Sequence, residues 1–216
     1  SYVFEDAYCT QPVCTPSSGS ILSGLYPHTH GAHANNVPLP ERTRCLPELL
    51  SDRKRSLYQT AYMGKWHLGD EVFAQHGFDT WVSIEDGYHK HYGRNRDPNT
   101  VSDYNIWLQE HGMTPDDGHR FSRGRTAVFP ENLGKPAFLA TRACRYIEEH
   151  QDEPFILYVN FLEPHMPFFG PRTEQYDPME LPLPRNFAPP PDNHHLKARA
   201  GWKRFREQGQ GWYDLS

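Results

Sequence analysis

Nowhere in the 216 residues is there a run of about 18 apolar side chains, the length a helix needs to cross a bilayer; the longest apolar stretch is 155–162. No membrane-spanning helix is expected. Cysteine is scarce, and Cys9, Cys14, Cys45 and Cys144 are too few and too scattered for a disulfide-built mini-domain. Positive charge is not in excess either, with 22 Lys and Arg against 27 Asp and Glu for a net charge of -5. Nucleic acid, gripped through clustered cations on phosphates, is not an expected partner. The chain opens on Ser1 and Tyr2 without an initiator Met or a basic-then-apolar leader, which says nothing of a parent protein whose start is missing. Its compartment is left open. What is present is 37% apolar and 23% charged, a folded composition in a length that suits one domain or part of a larger one.

Aromatic and β-branched content marks 3–8 as a short strand, followed by a Pro-rich loop at 10–16. A helix fits 17–25, capped by Ser17, Ser18 or Ser20 and buried through Ile21, Leu22 and Leu25, which puts Cys14 just before its N-terminus. Residues 26–40 read as loop, 45–50 open a short helix, and 59–65 form a strand ending at Gly64. Between 86 and 130, Gly, Asn, Asp and Pro dominate, with one short helix over 101–111. Residues 135–150 carry the strongest helical signal: Phe138, Leu139, Arg142, Ala143, Tyr146 and Ile147 recur at three and four residue spacing, and Pro136 suits the first turn. The apolar run 155–161 then predicts a central strand covered on both faces, and helix followed by buried strand indicates an α/β layered fold. After Pro164 the chain turns Pro-rich, with Pro189, Pro190 and Pro191 in an extended segment, before a basic helix over 197–207.

Three motifs stand out from this background. The first is Pro12-Val13-Cys14-Thr15-Pro16-Ser17-Ser18-Gly19, continuing through Leu25-Tyr26-Pro27-His28-Thr29-His30-Gly31. Gly64-Lys65-Trp66-His67-Leu68-Gly69 closes the strand at 59–65, and Glu163-Pro164-His165-Met166-Pro167 follows the apolar run. In this order they resemble the signatures of the type I, formylglycine-dependent sulfatases of the alkaline phosphatase superfamily. The resemblance covers the whole chain, more loosely from Pro171 onward. Ser18 stands where that family's CxPSR pentapeptide has Arg.

The resemblance implies an alkaline-phosphatase-like α/β sandwich with a mixed, mostly parallel sheet, of which this chain is an internal piece. It implies a sulfuric ester hydrolase acting on a sulfated carbohydrate or small sulfate ester. Cys14 would be oxidised to formylglycine by a formylglycine-generating enzyme, bind a calcium ion and attack sulfur; Lys65 and His165 would hold the sulfate and help protonate the alcohol; His67 would act on the formylglycine hydrate. The family's remaining metal carboxylates are not matched here, and Asp6, Asp79 and Asp86 lie in no motif that corresponds to them. A catalytically silent sulfate-binding relative, or a phosphonate or phosphate ester hydrolase on the same scaffold, are the alternatives.

The residue types suit the chemistry on their own terms. A sulfate ester repels incoming nucleophiles, so its site needs cations and donors aimed at the sulfate oxygens, as Lys65 could be. Imidazoles titrate near neutrality, which fits His67 and His165 to move a proton. His28, His30 and His33 lack the paired second half of a structural zinc site, so no zinc is expected there.

Overall fold

The computed structural model describes residues 2–182 and 195–208, which fall in two compact units, Ser1–Glu163 and Pro164–Ser216. Pro189, Pro190, Pro191, His194, Trp212 and Tyr213 lie outside the described residues.

The first unit begins without the strand expected at 3–8. Tyr2, Val3, Phe4 and Tyr8 are at least 85% exposed and pair with no strand. Strand-forming side chains make a strand only when a neighbouring ladder takes up the backbone N–H and C=O groups. Helix α1 spans Cys14–Ser23, starting earlier than expected, with Val13 at the N-cap and no capping side chain from itself. Pro16 fits the first turn, whose amides have no intrahelical partner. The serines therefore ride on the helix body. Leu22 is buried with Thr15, Pro16, Gly19 and Ser23, whereas Ile21 and Leu25 are exposed. Gly24 ends the helix in the left-handed region at φ 72°.

Short helix α2 (Pro27–His30) and a 3-10 turn (Leu46–Leu49) lead to α3 (Asp52–Arg55), then to strand β1 (Gln59–Gly64) and strand β2 (Thr80–Ser83). Next come α4 (Asp103–Glu110), α5 (Arg123–Ala127), α6 (Lys135–Glu149) and β3 (Phe155–Asn160). The described sheet is β2-β1-β3, with both pairings parallel. The middle strand is thus β1. Strand β3, expected at the centre, is half-buried along its whole length because only one side of it is paired among the described residues. Neither β2 nor α5 was apparent from pattern: β2 is four residues long, and α5 is the polar run RGRTA, held by Ser122, whose Oγ accepts from Arg125 N.

Side chains alternate along β1 into two cores. Ala61 and Met63 join Phe138, Leu139, Tyr104 and Leu108 from α6 and α4 on one face. Tyr62 points the other way, into a cluster with Trp66, Leu68, Phe78 and Leu22 of α1. Its ring lies 4.9 Å from that of Trp66, edge-on, and 5.0 Å from that of Trp81, stacked. Helix α6 buries the expected stripe apart from Ile147, which is exposed, and Arg142, whose guanidinium lies 5.2 Å from the Phe138 ring centre. The second unit contains α7 (Leu196–Gln208), matching the expected basic helix.

Candidate active site

Ligands on open parallel sheets gather at the carboxyl ends of the strands, and here that end of β1 runs straight into Lys65, Trp66 and His67. The exit is tightly built. Lys65 N donates to Asn160 O at 3.0 Å, while Lys65 O accepts from Tyr62 Oη at 2.6 Å and from Asn160 Nδ2 at 2.7 Å. At Gly64, φ is 119° and an added Cβ would lie 2.0 Å from Asn160 O, so only glycine lets β1 and β3 approach this closely. Lys65 is left 8% exposed. Burial pushes its pKa down, and Cys14 is the largest influence opposing that shift, so the two groups lie within electrostatic reach.

His67 adopts φ 57°, a left-handed conformation uncommon outside glycine. Buried Glu71 accounts for it: its two oxygens accept from Trp66 N at 2.8 Å and His67 N at 2.6 Å. Burial raises the Glu71 carboxyl to about 7, against the pull of those two amides. The imidazole is oriented by Asn36, whose Oδ1 lies 3.0 Å from Nε2, and by Tyr88, stacked at 4.1 Å between ring centres.

One side chain ties α1 to this loop. Thr15 Oγ1 donates to His67 O at 2.7 Å, and Thr15 N donates to Asn35 Oδ1 at 3.1 Å, so an amide of the helix start is satisfied from 20 residues away. Cys14, half-buried at the first position of α1, therefore sits at the positive helix end on the side of the lysine and histidine. Cys14 thus lies within electrostatic reach of Lys65, and its neighbour Thr15 ties the start of α1 to His67. His165 belongs to the second unit, where it is half-buried with Nδ1 2.8 Å from Met166 O.

Asn35, Asn36, Glu71 and Tyr88 escaped the sequence analysis. The Asn35-Asn36 doublet in an otherwise His- and Gly-rich loop was the available signal; Glu71 and Tyr88 had none. Ser18 is half-buried on α1. Asp79 is committed to Arg55 at 2.6 Å and Thr60 Oγ1 at 2.8 Å, and Asp86 to Ser102 N and Asn105 Nδ2, so neither is a spare metal ligand.

His30 is fully buried, with Nδ1 accepting from Ala32 N at 3.1 Å and Nε2 3.2 Å from Pro16 O, a neutral ring packed on Gly19. His28 and His33 are exposed. Cys45, Glu48 and His76 do bring three potential ligand atoms within 4.8 Å of one another. Glu48 Oε2 is already shared by Cys45 N at 2.9 Å and His76 Nδ1 at 3.3 Å, and burial, then Glu48, pushes the Cys45 thiol up to about 12. This is a turn cap. Among the described residues no group of His, Cys, Asp and Glu gathers around Cys14, so these residues alone do not make the oxygen cage that calcium takes.

Residues 1–182 match the sulfatase family model. The chain belongs to the sulfatase family. It is 29% identical over 97% of its length to an ulvan-active sulfatase of Formosa agariphila, covering 36% of that protein. Human N-acetylgalactosamine-6-sulfatase is 31% identical over 49% of the chain, which covers 22% of the human protein. Among solved structures, a phosphonate monoester hydrolase from Silicibacter pomeroyi superposes with a TM-score of 0.58 at 18% identity, over 82% of the chain and 37% of that structure. The fold is thus the expected alkaline-phosphatase-like α/β type, with three parallel strands described. The chain spans well under half the length of these relatives.

Proposed function

We propose that this sulfatase chain is the central part of a longer sulfuric ester hydrolase, acting on a sulfated carbohydrate through formylglycine derived from Cys14. The observation that carries this reading is the convergence of Cys14, at the N-terminus of α1, with Lys65 and His67 at the end of β1, locked by the Thr15–His67 hydrogen bond. Net reaction splits the S–O bond of the ester, with water supplying the oxygen and the proton of the products sulfate and alcohol.

When formed, formylglycine supplies a hydrated aldehyde as the attacking group. The chain's own residues do the rest. Lys65 is a buried cation whose N–H groups suit sulfate oxygens, and burial strengthens that attraction by excluding water. The N-terminus of α1 adds partial positive charge on the same side. His67, oriented by Asn36 and Tyr88, holds and moves a proton next to Cys14. Lys65 and His165 would hold the sulfate and help protonate the departing alcohol, and a calcium ion bound by Cys14-derived formylglycine would need carboxylates that the described residues do not gather there. Sulfated sugars as substrates draw support from the ulvan-active relative.

The test is peptide mass spectrometry across Cys14 in the complete protein co-expressed with a formylglycine-generating enzyme, followed by turnover of sulfated saccharides. Conversion and turnover are expected despite Ser18, and Lys65→Ala should lower kcat/KM by about 100-fold or more, the usual scale for a transition-state donor. An unmodified thiol that is converted only after Ser18→Arg would instead favour the silent sulfate-binding relative.

A further inference from the structure

The sulfatase reading leaves one built feature unused: a cavity of about 260 Å³ at the carboxyl end of β2, beside the end of β1. Its wall includes Glu85, Asp86, Tyr88, Arg123 and Lys135. Tyr88 is the partition, since the same ring that lines the cavity is stacked on His67. The cavity therefore begins one aromatic ring away from the candidate catalytic histidine.

Its polar groups are unevenly used. Every carboxylate oxygen already accepts a hydrogen bond: Glu85 Oε1 from Lys135 Nζ, Glu85 Oε2 from Arg123 Nε at 2.6 Å, Asp86 Oδ1 from Ser102 N at 2.6 Å and Asp86 Oδ2 from Asn105 Nδ2 at 2.9 Å. The donors are not exhausted. Arg123 spends Nε on Glu85 and shares Nη2 between Glu85 Oε2 at 2.6 Å and Tyr88 Oη at 2.8 Å, which leaves the two N–H groups of Nη1 out of five. Lys135 carries three N–H groups, and Tyr88 Oη, accepting from Arg123, keeps its own hydrogen to give. Two cations balance two carboxylates, so an anion meets no net repulsion and finds surplus donors, among them a guanidinium suited to planar or tetrahedral oxyanions.

Resting on the sulfatase reading for the sugar that brings it, we propose that this cavity is a second anion subsite. It takes a carboxylate or a second sulfate carried by the same sulfated saccharide, with Arg123 as its principal contact and Tyr88 and Lys135 beside it.

Binding, which needs no turnover, tests it. The complete protein carrying Lys65→Met, which removes the cation of the first sulfate site, is titrated calorimetrically with glucuronate, glucose 6-sulfate and glucose. At least one of the two anionic sugars should bind saturably and glucose should not, with the tighter anion naming the occupant. Adding Arg123→Gln should weaken anion binding about tenfold, the scale of one charge-assisted hydrogen bond. Tyr88→Phe keeps the Glu85 ion pairs and should weaken it about threefold; it decides the matter if the Arg123 variant does not fold. Equal binding of glucose, no saturable binding, or anion binding unchanged by Tyr88→Phe and Arg123→Gln overturns the subsite. Turnover without such binding leaves the sulfatase reading intact, and binding without turnover sinks only that reading.

Discussion

Two loops leave neighbouring parallel strands, and each buries a glutamate at 1% exposure; the environments are opposite. Glu71, after β1, accepts from two backbone amides and feels Lys65 only weakly, so burial dominates and raises its carboxyl to about 7. Glu85, after β2, is also pushed upward by burial, but Lys135 and Arg123 together outweigh it and hold the group below the ordinary carboxylate range. The first carboxyl shapes a backbone, setting the unusual φ of His67. The second gathers side chains, placing Arg123 against Tyr88 and Tyr88 against His67. Burial alone thus does not decide the state of a carboxyl; what it faces does.

Breaking the Glu85 side should have the larger effect. Glu85→Ala strands buried Lys135 and half-buried Arg123 without their shared counter-ion, and removal of one member of such a pair typically costs about 3–5 kcal/mol. Urea denaturation of the variant should show a loss on that scale, whereas a loss within the few tenths typical of surface positions would show that the triad is open to water.

Glu71 separates from Glu85 by its pH dependence. Its pKa is raised in the folded state, so its contribution to stability is fully present below the unfolded value, near 4.5, and is lost as pH rises through about 7. The span corresponds to about 3 kcal/mol. Stability measured from about pH 5 to about pH 8 should fall in the wild type, and Glu71→Gln should remove most of that slope. An unchanged slope in the variant would assign the titration elsewhere.

The smallest effect is expected at the link between the two loops. Tyr88→Phe loses the hydrogen bond from Arg123 but keeps the stack on His67, and should cost about 1 kcal/mol in thermal or chemical denaturation. A much larger loss would mean that the hydroxyl, and not the ring, organises the cavity.

The elements set by local pattern were available from the amino-acid order alone. Helix α6 and strand β1 carry strong periodicity or burial, and α7 its run of helix-forming residues, and each was found within two residues of its expected ends. Resemblance of three motifs to the sulfatase signatures singled out Cys14, Lys65, His67 and His165, and two motif neighbours answer to local geometry: a glycine where β3 comes within 2.0 Å of a Cβ position, and a proline in the first turn of α1. The strand expected at 3–8 failed for the reason that β2 was missed. Strand formation depends on a partner distant in sequence, which local side-chain preference does not encode.

Only the tertiary structure decided how the site is held. Asn35 reaches an amide 20 residues away, Thr15 a carbonyl 52 residues away, and Arg123 a carboxylate 38 residues away. Such contacts join residues of ordinary type in unremarkable surroundings, so no window of sequence distinguishes them from solvated polar groups. Sequence marked the candidate residues, because motif neighbours must satisfy local backbone constraints; folding decided what supports them and how Glu71 and Glu85 titrate, because those depend on what packs against them from elsewhere in the chain.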